Sequence, residues 1–343
     1  MLFQTLRPAI HALDPERAHR LTIAALKAMP GKGRPDYPAG LGVDLAGLHF
    51  PTPLGLAPGF DKDAEVPRAM LALGFGHVEV GTLTPRPQAG NPKPRLFRLV
   101  EDRAVINRMG FNNGGMEAAH RCLLKRGREQ GLVGVNVGAN KDTDDRIADY
   151  CMGVAAMANV ADYITVNISS PNTPGLRNLQ AKGELEALLE ALAAQRREGQ
   201  PPVFLKVAPD LEEGDHERIV RAALDNGIAA LIVSNTTISR PPLASRQAGE
   251  AGGLSGAPLK PLALAQLRRF YAVAKGALPL IGVGGIANAE DAWERIRAGA
   301  HLVQLYSALV YEGPGLAKRI NRDLAELMQR DGFATIAEAV GSE

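Results

Sequence analysis

Only two cysteines, Cys122 and Cys151, occur in the 343 residues; they lie far apart, with no C-x-x-C spacing and no adjacent histidine set. That excludes a disulfide framework and a thiolate metal site, so both are expected to be reduced, small buried hydrophobes. Charge of one sign is also missing. Thirty-nine basic side chains against 37 acidic ones leave a formal charge of +2 with no long run of either sign, which argues against a binder held by phosphate neutralisation. No stretch reaches the ~18–20 continuous apolar residues of a membrane span. The N-terminus lacks the compact apolar core and small-residue cleavage site of a secretory signal. A chain that stays inside the cell without crossing the membrane is the expectation. What is present is an ordinary globular composition, 45% apolar and 22% charged, enough for a large core.

Leu2, Phe3, Leu6, Ile10 and Leu13 recur at near-helical spacing, and Asp14-Pro15 then supplies an N-cap and a first-turn proline for a second helix bearing Ala18, Leu21, Ala25 and Met29. The breaker-rich segment from Pro30 to Pro35 follows, so residues 1–36 parse as a small helical subdomain. From this segment alone it reads as a cap packed on the main domain, with an interfacial element as the alternative.

Residues 37–343 alternate short β-rich runs with helical patterns. The strands expected are Leu54–Ala57, Val78–Gly81, Val133–Val137, Tyr163–Ile168, Val203–Val207, Ala230–Ser234, Leu280–Val283 and Leu302–Tyr306. Each precedes a helix starting near Ala64, Asn113, Asp144, Glu184, Gly214, Lys260, Asn288 or Gly315. Runs apolar on both faces suit a parallel sheet covered by helices, and eight such units predict an α/β fold, a closed (β/α)₈ TIM barrel with a small N-terminal helical extension. Two connections are long: Thr82 to about Asn112, holding a hairpin of Arg95–Val100 and Arg103–Ile106, and Ser169 to Gly183. Both follow strand C-termini, where barrel active sites lie.

The residues just after each strand converge on the barrel mouth. They are Lys62, Thr82, Asn136, the run Asn167 to Asn172, Lys206, Ser234-Asn235-Thr236, Gly284-Gly285 and Tyr306-Ser307. An asparagine alone is a turn residue, but Asn136, Asn167, Asn172 and Asn235 together offer paired donors and acceptors suited to a planar nitrogen heterocycle. Lys62 and Lys206 are cations for a carboxylate, a developing anion or a reduced cofactor. Glycines at 252, 253, 256, 282, 284 and 285 expose backbone amides where barrels commonly bind phosphate. Gly282 to Ala287 also matches the dinucleotide pattern G-x-G-x-x-G/A, but it belongs to the seventh unit and the next strand ends in Tyr306-Ser307 without a ribose-binding acid. Ser170 precedes a proline in the long fourth loop; taken alone it is a loop serine, and no histidine motif accompanies it as in a hydrolase.

At these residues the sequence resembles the dihydroorotate dehydrogenases, specifically the class 2, quinone-dependent branch. The stretches carrying the likeness include Gly55 to Lys62, Val80 to Pro85, Asn107 to Gly114, Val135 to Gly138, Asn167 to Arg177, Lys206 to Asp210, Ser234 to Thr237, Gly252 to Gly256, Ile281 to Ile286 and Gln304 to Ser307, in order along the whole barrel. The serine in Ser169 to Arg177 is specific, because class 1 relatives carry a cysteine base there. The two-helix extension is the other class 2 mark, and it turns the cap into a membrane and quinone attachment.

The resemblance implies oxidation of (S)-dihydroorotate to orotate in pyrimidine biosynthesis, with FMN as hydride acceptor and a membrane quinone as electron acceptor. It implies an FMN site of Ala57, Gly59, Phe60, Thr82, Asn136, Asn167, Lys206, Ser234, Gly256, Gly285, Tyr306 and Ser307. It implies a dihydroorotate site of Lys62, Asn107, Arg108, Met109, Gly110, Phe111, Asn167, Asn172, Asn235 and Thr236. Ser170 is the implied base, with Thr173 and Phe111 shaping a proton route. No metal is implied, and the protein would rest on the cytoplasmic side of the cell membrane. Pro58 departs from the small residue usual beside the flavin and removes an amide N–H. A soluble class 1-like enzyme using fumarate or NAD, and a non-catalytic phosphate-binding barrel, are the competing readings.

Overall fold

The expected apolar runs become strands buried on both faces, the condition that parallel pairing demands. The computed structural model describes residues 2–29, 33, 35–126 and 131–343, so most of the linker after Met29 lies outside the described residues. In chain order the elements are α1 (Leu2–Ala12), α2 (Pro15–Ala28), β1 (Val43–Leu45), β2 (Leu48–Phe50), β3 (Leu54–Leu56), α3 (Pro67–Ala72), β4 (His77–Leu83), β5 (Leu96–Leu99), β6 (Ala104–Asn107), α4 (Met116–Leu124), β7 (Leu132–Val137), α5 (Arg146–Met157) and β8 (Tyr163–Asn167). Then follow α6 (Glu184–Gln195), β9 (Val203–Val207), α7 (Asp215–Asp225), β10 (Ala230–Val233), β11 (Gly253–Gly256), α8 (Lys260–Ala274), β12 (Leu280–Val283), α9 (Ala289–Arg297), β13 (Leu302–Leu305), α10 (Ala308–Glu312), α11 (Leu316–Arg330) and α12 (Ile336–Ala339).

Strands β3, β4, β7, β8, β9, β10, β12 and β13 pair in that order, all parallel, and β13 closes on β3. The eight-unit barrel expected from the pattern is therefore present. Helices such as α11 cover it with a stripe of Leu316, Ile320, Leu324 and Met328, one face of a 3.6-residue period.

Three features were not legible. β1 and β2 form an antiparallel hairpin around Ala46-Gly47, both in the left-handed region, and bring Phe50 against the barrel floor. The 95–106 hairpin exists as β5 and β6, but β11 adds a third strand from the glycine-rich segment, antiparallel to β6. Glycine is strand-poor, so Gly-Gly-Leu-Ser-Gly reads as a loop until a partner strand supplies its hydrogen bonds. Cys151 is buried as expected, whereas Cys122 is exposed. The buried stripe of α4 is Met116, Ala119 and Leu123, which turns position 122 outward.

Asp14 caps α2 by accepting from Arg17 N at 2.9 Å, and Pro15 starts the helix. The extension is tied across the mouth. Glu16 receives Arg95 at 2.7 and 3.1 Å, Arg98 donates to the carbonyls of His11 and Leu13 at 2.7 Å, and Glu65 pairs with Arg20 and Lys27.

Inside the barrel His77 is fully buried against Phe50, and burial pulls its imidazole down to about 3. The ring fits because residue 55 has no Cβ; one built there would lie 2.0 Å from His77 Nε2. Gly55→Ala is expected to cost about 2–3 kcal/mol by overpacking. Urea denaturation checks this: His77→Ala in the same chain should recover part of the loss, and undiminished stability in Gly55→Ala would contradict the packing.

Candidate active site

Because the strands are parallel, their C-terminal ends meet at one rim, and a single cavity of about 660 Å³ opens there. The turn after β3 supplies Ala57, Gly59, Phe60 and Lys62 to its wall. Asp61 shapes that turn: its buried carboxylate accepts from Glu65 N at 2.7 Å and Val66 N at 2.8 Å, and burial, more than its acidic neighbours, pushes it up to about 6. Lys62 Nζ donates to Gly59 O at 2.6 Å. Burial pulls this ammonium down to about 8, although Glu16 and Asp63 favour its charged form.

The floor is a net of amides and hydroxyls. Thr82 Oγ1 donates to Asn136 Oδ1 at 2.5 Å, and Asn167 Nδ2 donates to both Asn136 Oδ1 at 3.0 Å and Thr82 Oγ1 at 3.1 Å. Asn235 Nδ2 reaches Ser169 Oγ at 2.9 Å, and Ser169 Oγ donates to Asn167 Oδ1 at 3.0 Å. Lys206, at the end of β9, is buried and lowered by desolvation, and its ammonium makes no hydrogen bond among the described residues.

On one side the 107–111 segment brings Asn107, Met109, Gly110 and Phe111 to the wall. Phe111 has φ +53°, a costly conformation for an aromatic residue. Its carbonyl is held by Asn113 Nδ2 at 2.7 Å and Gln88 Nε2 at 3.1 Å. Asn172 Nδ2 bonds Asn107 Oδ1 at 3.1 Å, joining this segment to the long loop after β8. Ser170 is buried on that loop and lines the cavity; its Oγ accepts from Asn172 N at 3.3 Å. Arg177 fixes the loop by donating to Ser169 O at 3.0 Å, Thr236 O at 2.9 Å and Asp210 at 2.8 Å.

Ser234, Asn235, Thr236, Gly256, Gly285, Tyr306 and Ser307 complete the wall. Ser307 Oγ bonds Ser255 Oγ at 2.8 Å, while the backbone amides of Gly285 and Ser307 have no hydrogen-bond partner among the described residues. The cavity continues without a break under the extension, where Ile10, Ala18, Leu26, Leu96, Val105 and Leu309 make it apolar and His11, His19, Arg98 and Arg103 are its polar points. His19 Nε2 donates to Phe60 O at 2.7 Å, and burial, with Lys62 adding, pulls the ring down to about 4, so it is neutral.

The chain that carries this polar pocket and apolar passage matches known proteins along its full length. A family model described as dihydroorotate dehydrogenase covers residues 40–328. The chain belongs to the dihydroorotate dehydrogenase family. It is 63% identical over 343 residues to the dihydroorotate dehydrogenase (quinone) of Erythrobacter litoralis, with all of both chains covered. It is 64% identical over 340 residues to that of Sphingopyxis alaskensis, covering 98% of this chain and 95% of the relative. Its fold superposes on the crystal structure of DHODH in complex with ferulenol from Eimeria tenella with a TM-score of 0.91, at 40% identity, covering 96% of this chain and 95% of that one.

The cavity gathers Ser170 and all of the expected FMN-site and dihydroorotate-site residues except Asn136 and Arg108, while Thr173 and the glycines at 252, 253 and 282 lie outside its lining. Asn136 sits beneath the floor, its Nδ2 bonded to Glu79 at 2.7 Å. Arg108 points away, its guanidinium held by Glu250 at 2.7 Å and stacked 4.5 Å from the Phe97 ring, so it braces the loops and does not line the cavity. Sequence reasoning missed Glu79, Gln304 and Arg177. For Glu79 a signal was there: a carboxylate inside an otherwise apolar strand, with its side chain on the inward parity of β4.

Proposed function

We propose that this chain oxidises (S)-dihydroorotate to orotate with bound FMN as hydride acceptor, and passes the electrons to a membrane quinone, a step of pyrimidine biosynthesis. The observation that carries the reading is the single cavity with a polar end built from strand termini and an apolar end built from α1 and α2. The relatives' name, dihydroorotate dehydrogenase (quinone), supports both halves.

The residues present fit a flavin phosphate and ring. Unpartnered amides at Gly285 and Ser307 suit phosphate oxygens, with Gly256 and Tyr306 alongside. The unbonded Lys206 ammonium and the Thr82, Asn167 and Ser234 side chains suit the ring's carbonyl and nitrogen edge, with Asn136 holding Asn167 from below. Pro58 has no amide to donate, and the amides of Ala57 and Gly59 are taken by Leu305 O at 3.0 Å and Gly81 O at 2.8 Å, so this turn would meet the flavin by packing and not by N–H donation. When bound, FMN supplies a two-electron hydride acceptor.

Lys62 is the cation for the substrate carboxylate, and Asn107, Asn172, Asn235 and Thr236 offer donors and acceptors to the pyrimidine edge. Ser170 takes the proton from carbon 5 as hydride leaves carbon 6. Thr173 Oγ1, buried in the same loop without a hydrogen-bond partner among the described residues, is free to carry that proton onward, and Phe111 keeps bulk water out.

Residues 1–36 form the quinone-access and membrane-contact subdomain. Leu6 and Leu21 are exposed on its helices and Leu13 and Met29 just beyond their ends, and no described helix is long and apolar enough to cross a membrane. The exposed apolar side chains support peripheral contact with the cell membrane, and the cytoplasmic side is what the family resemblance implies.

Purified protein should be yellow, and anaerobic dihydroorotate should bleach it; a colourless protein unable to take up FMN contradicts the reading. Ser170→Ala should slow that bleaching about 100-fold or more while FMN stays bound, and an unchanged rate removes Ser170 from its role. Lys62 must be protonated to hold a carboxylate. Since its folded value is about 8, kcat/KM should fall as pH rises through about 8 and lose that limb in Lys62→Met.

A further inference from the structure

Glu79 lies inside the barrel on β4, fully buried. Its carboxylate accepts from Asn136 Nδ2 at 2.7 Å, Gln304 Nε2 at 2.8 Å and Tyr163 OH at 3.3 Å, three neutral donors from β7, β13 and β8. No arginine or lysine bridges it among the described residues. Across the same interior, from β9, Lys206 is buried and lines the cavity, and its ammonium makes no hydrogen bond among the described residues. Among the described residues, Glu79 is the charged group whose field favours the protonated form of Lys206, against the desolvation that opposes it. A buried ammonium with no opposing charge releases its proton.

We propose that Glu79 is a positioning residue for the flavin-reducing reaction, a buried counter-charge that keeps Lys206 a cation against the bound cofactor. The proposal rests on the FMN reading above. Hydride brings two electrons and one proton, so one negative charge is added at the wall that Lys206 faces. A Lys206 that is already charged meets it at once; a neutral amine would have to draw a further proton from solvent. The amides of Asn136 and Gln304 link the carboxylate to the floor, so its charge is fixed in place and shielded from the cavity.

The other titratable groups on this interior keep one state near neutrality. Burial raises Tyr163 and Tyr306 far above it and holds His77 at about 3. Asp61 and Lys62 at the mouth, at about 6 and about 8, titrate alike in parent and variant.

The test is the reduction potential of the bound flavin in the full-length protein, followed spectroscopically from about pH 6 to about 9. In Glu79→Gln the potential should fall more steeply with pH than in the parent, by up to one further proton taken up per two electrons. Glu79→Asp should keep the parental slope, and Glu79→Gln should add nothing to the slope of Lys206→Met. Parallel slopes for parent and Glu79→Gln would overturn the proposal. Should Glu79→Gln fold poorly or lose its flavin, carbon-13 NMR of lysine-labelled parent, with the Lys206 signal assigned by its loss in Lys206→Met, decides instead: a charged Lys206 through pH 8 supports the proposal and a neutral one at pH 7 refutes it. A colourless parent would sink the FMN reading alone.

Discussion

Closure of eight parallel strands is the constraint on which the rest depends. Parallel pairing leaves no choice about direction: every strand delivers its C-terminal residue to the same rim. Residues far apart in sequence, such as Thr82, Asn167 and Lys206, are thereby neighbours. Closure also creates an interior that side chains must fill. Here the filling is polar in its middle, where Asn136, Tyr163 and Gln304 all donate to Glu79, and aromatic at its base, where His77, Phe50, Tyr163 and Phe204 pack.

The extension gains its role from the same rim. Two short helices with modest apolar stripes would be marginal alone. Ion pairs and carbonyl contacts from Arg95, Arg98 and Glu65 hold them over the mouth, and the space left beneath is apolar on the helix side and polar on the barrel side. On the proposed function, one cavity would serve two unlike ligands, a charged pyrimidine and an apolar quinone, without mixing their surroundings.

Much of this was legible because it is local. Strand and helix alternation, the Asp14-Pro15 cap and the rim residues depend on periodicity and on which residue follows a strand. What was hidden depends on partners distant in sequence. Arg108 belongs to the same run as Asn107, yet Glu250 turns its guanidinium outward. β11 needs β6 to be a strand at all. Glu79 and Cys122 were hidden for a different reason. Their orientation follows from strand parity and helix phase, and side-chain direction had to be worked out position by position to see it.

The central claim is that electrons enter at the polar end of one cavity and leave at its apolar end. Ala18, buried on α2 and lining the passage, offers the most direct measurement, a stopped-flow comparison of the two half-reactions in Ala18→Phe. The account predicts unchanged bleaching by dihydroorotate and recolouring by a soluble quinone analogue slowed at least tenfold, about 1.4 kcal/mol of barrier. Recolouring at the parental rate would mean that the quinone reaches the flavin by another path.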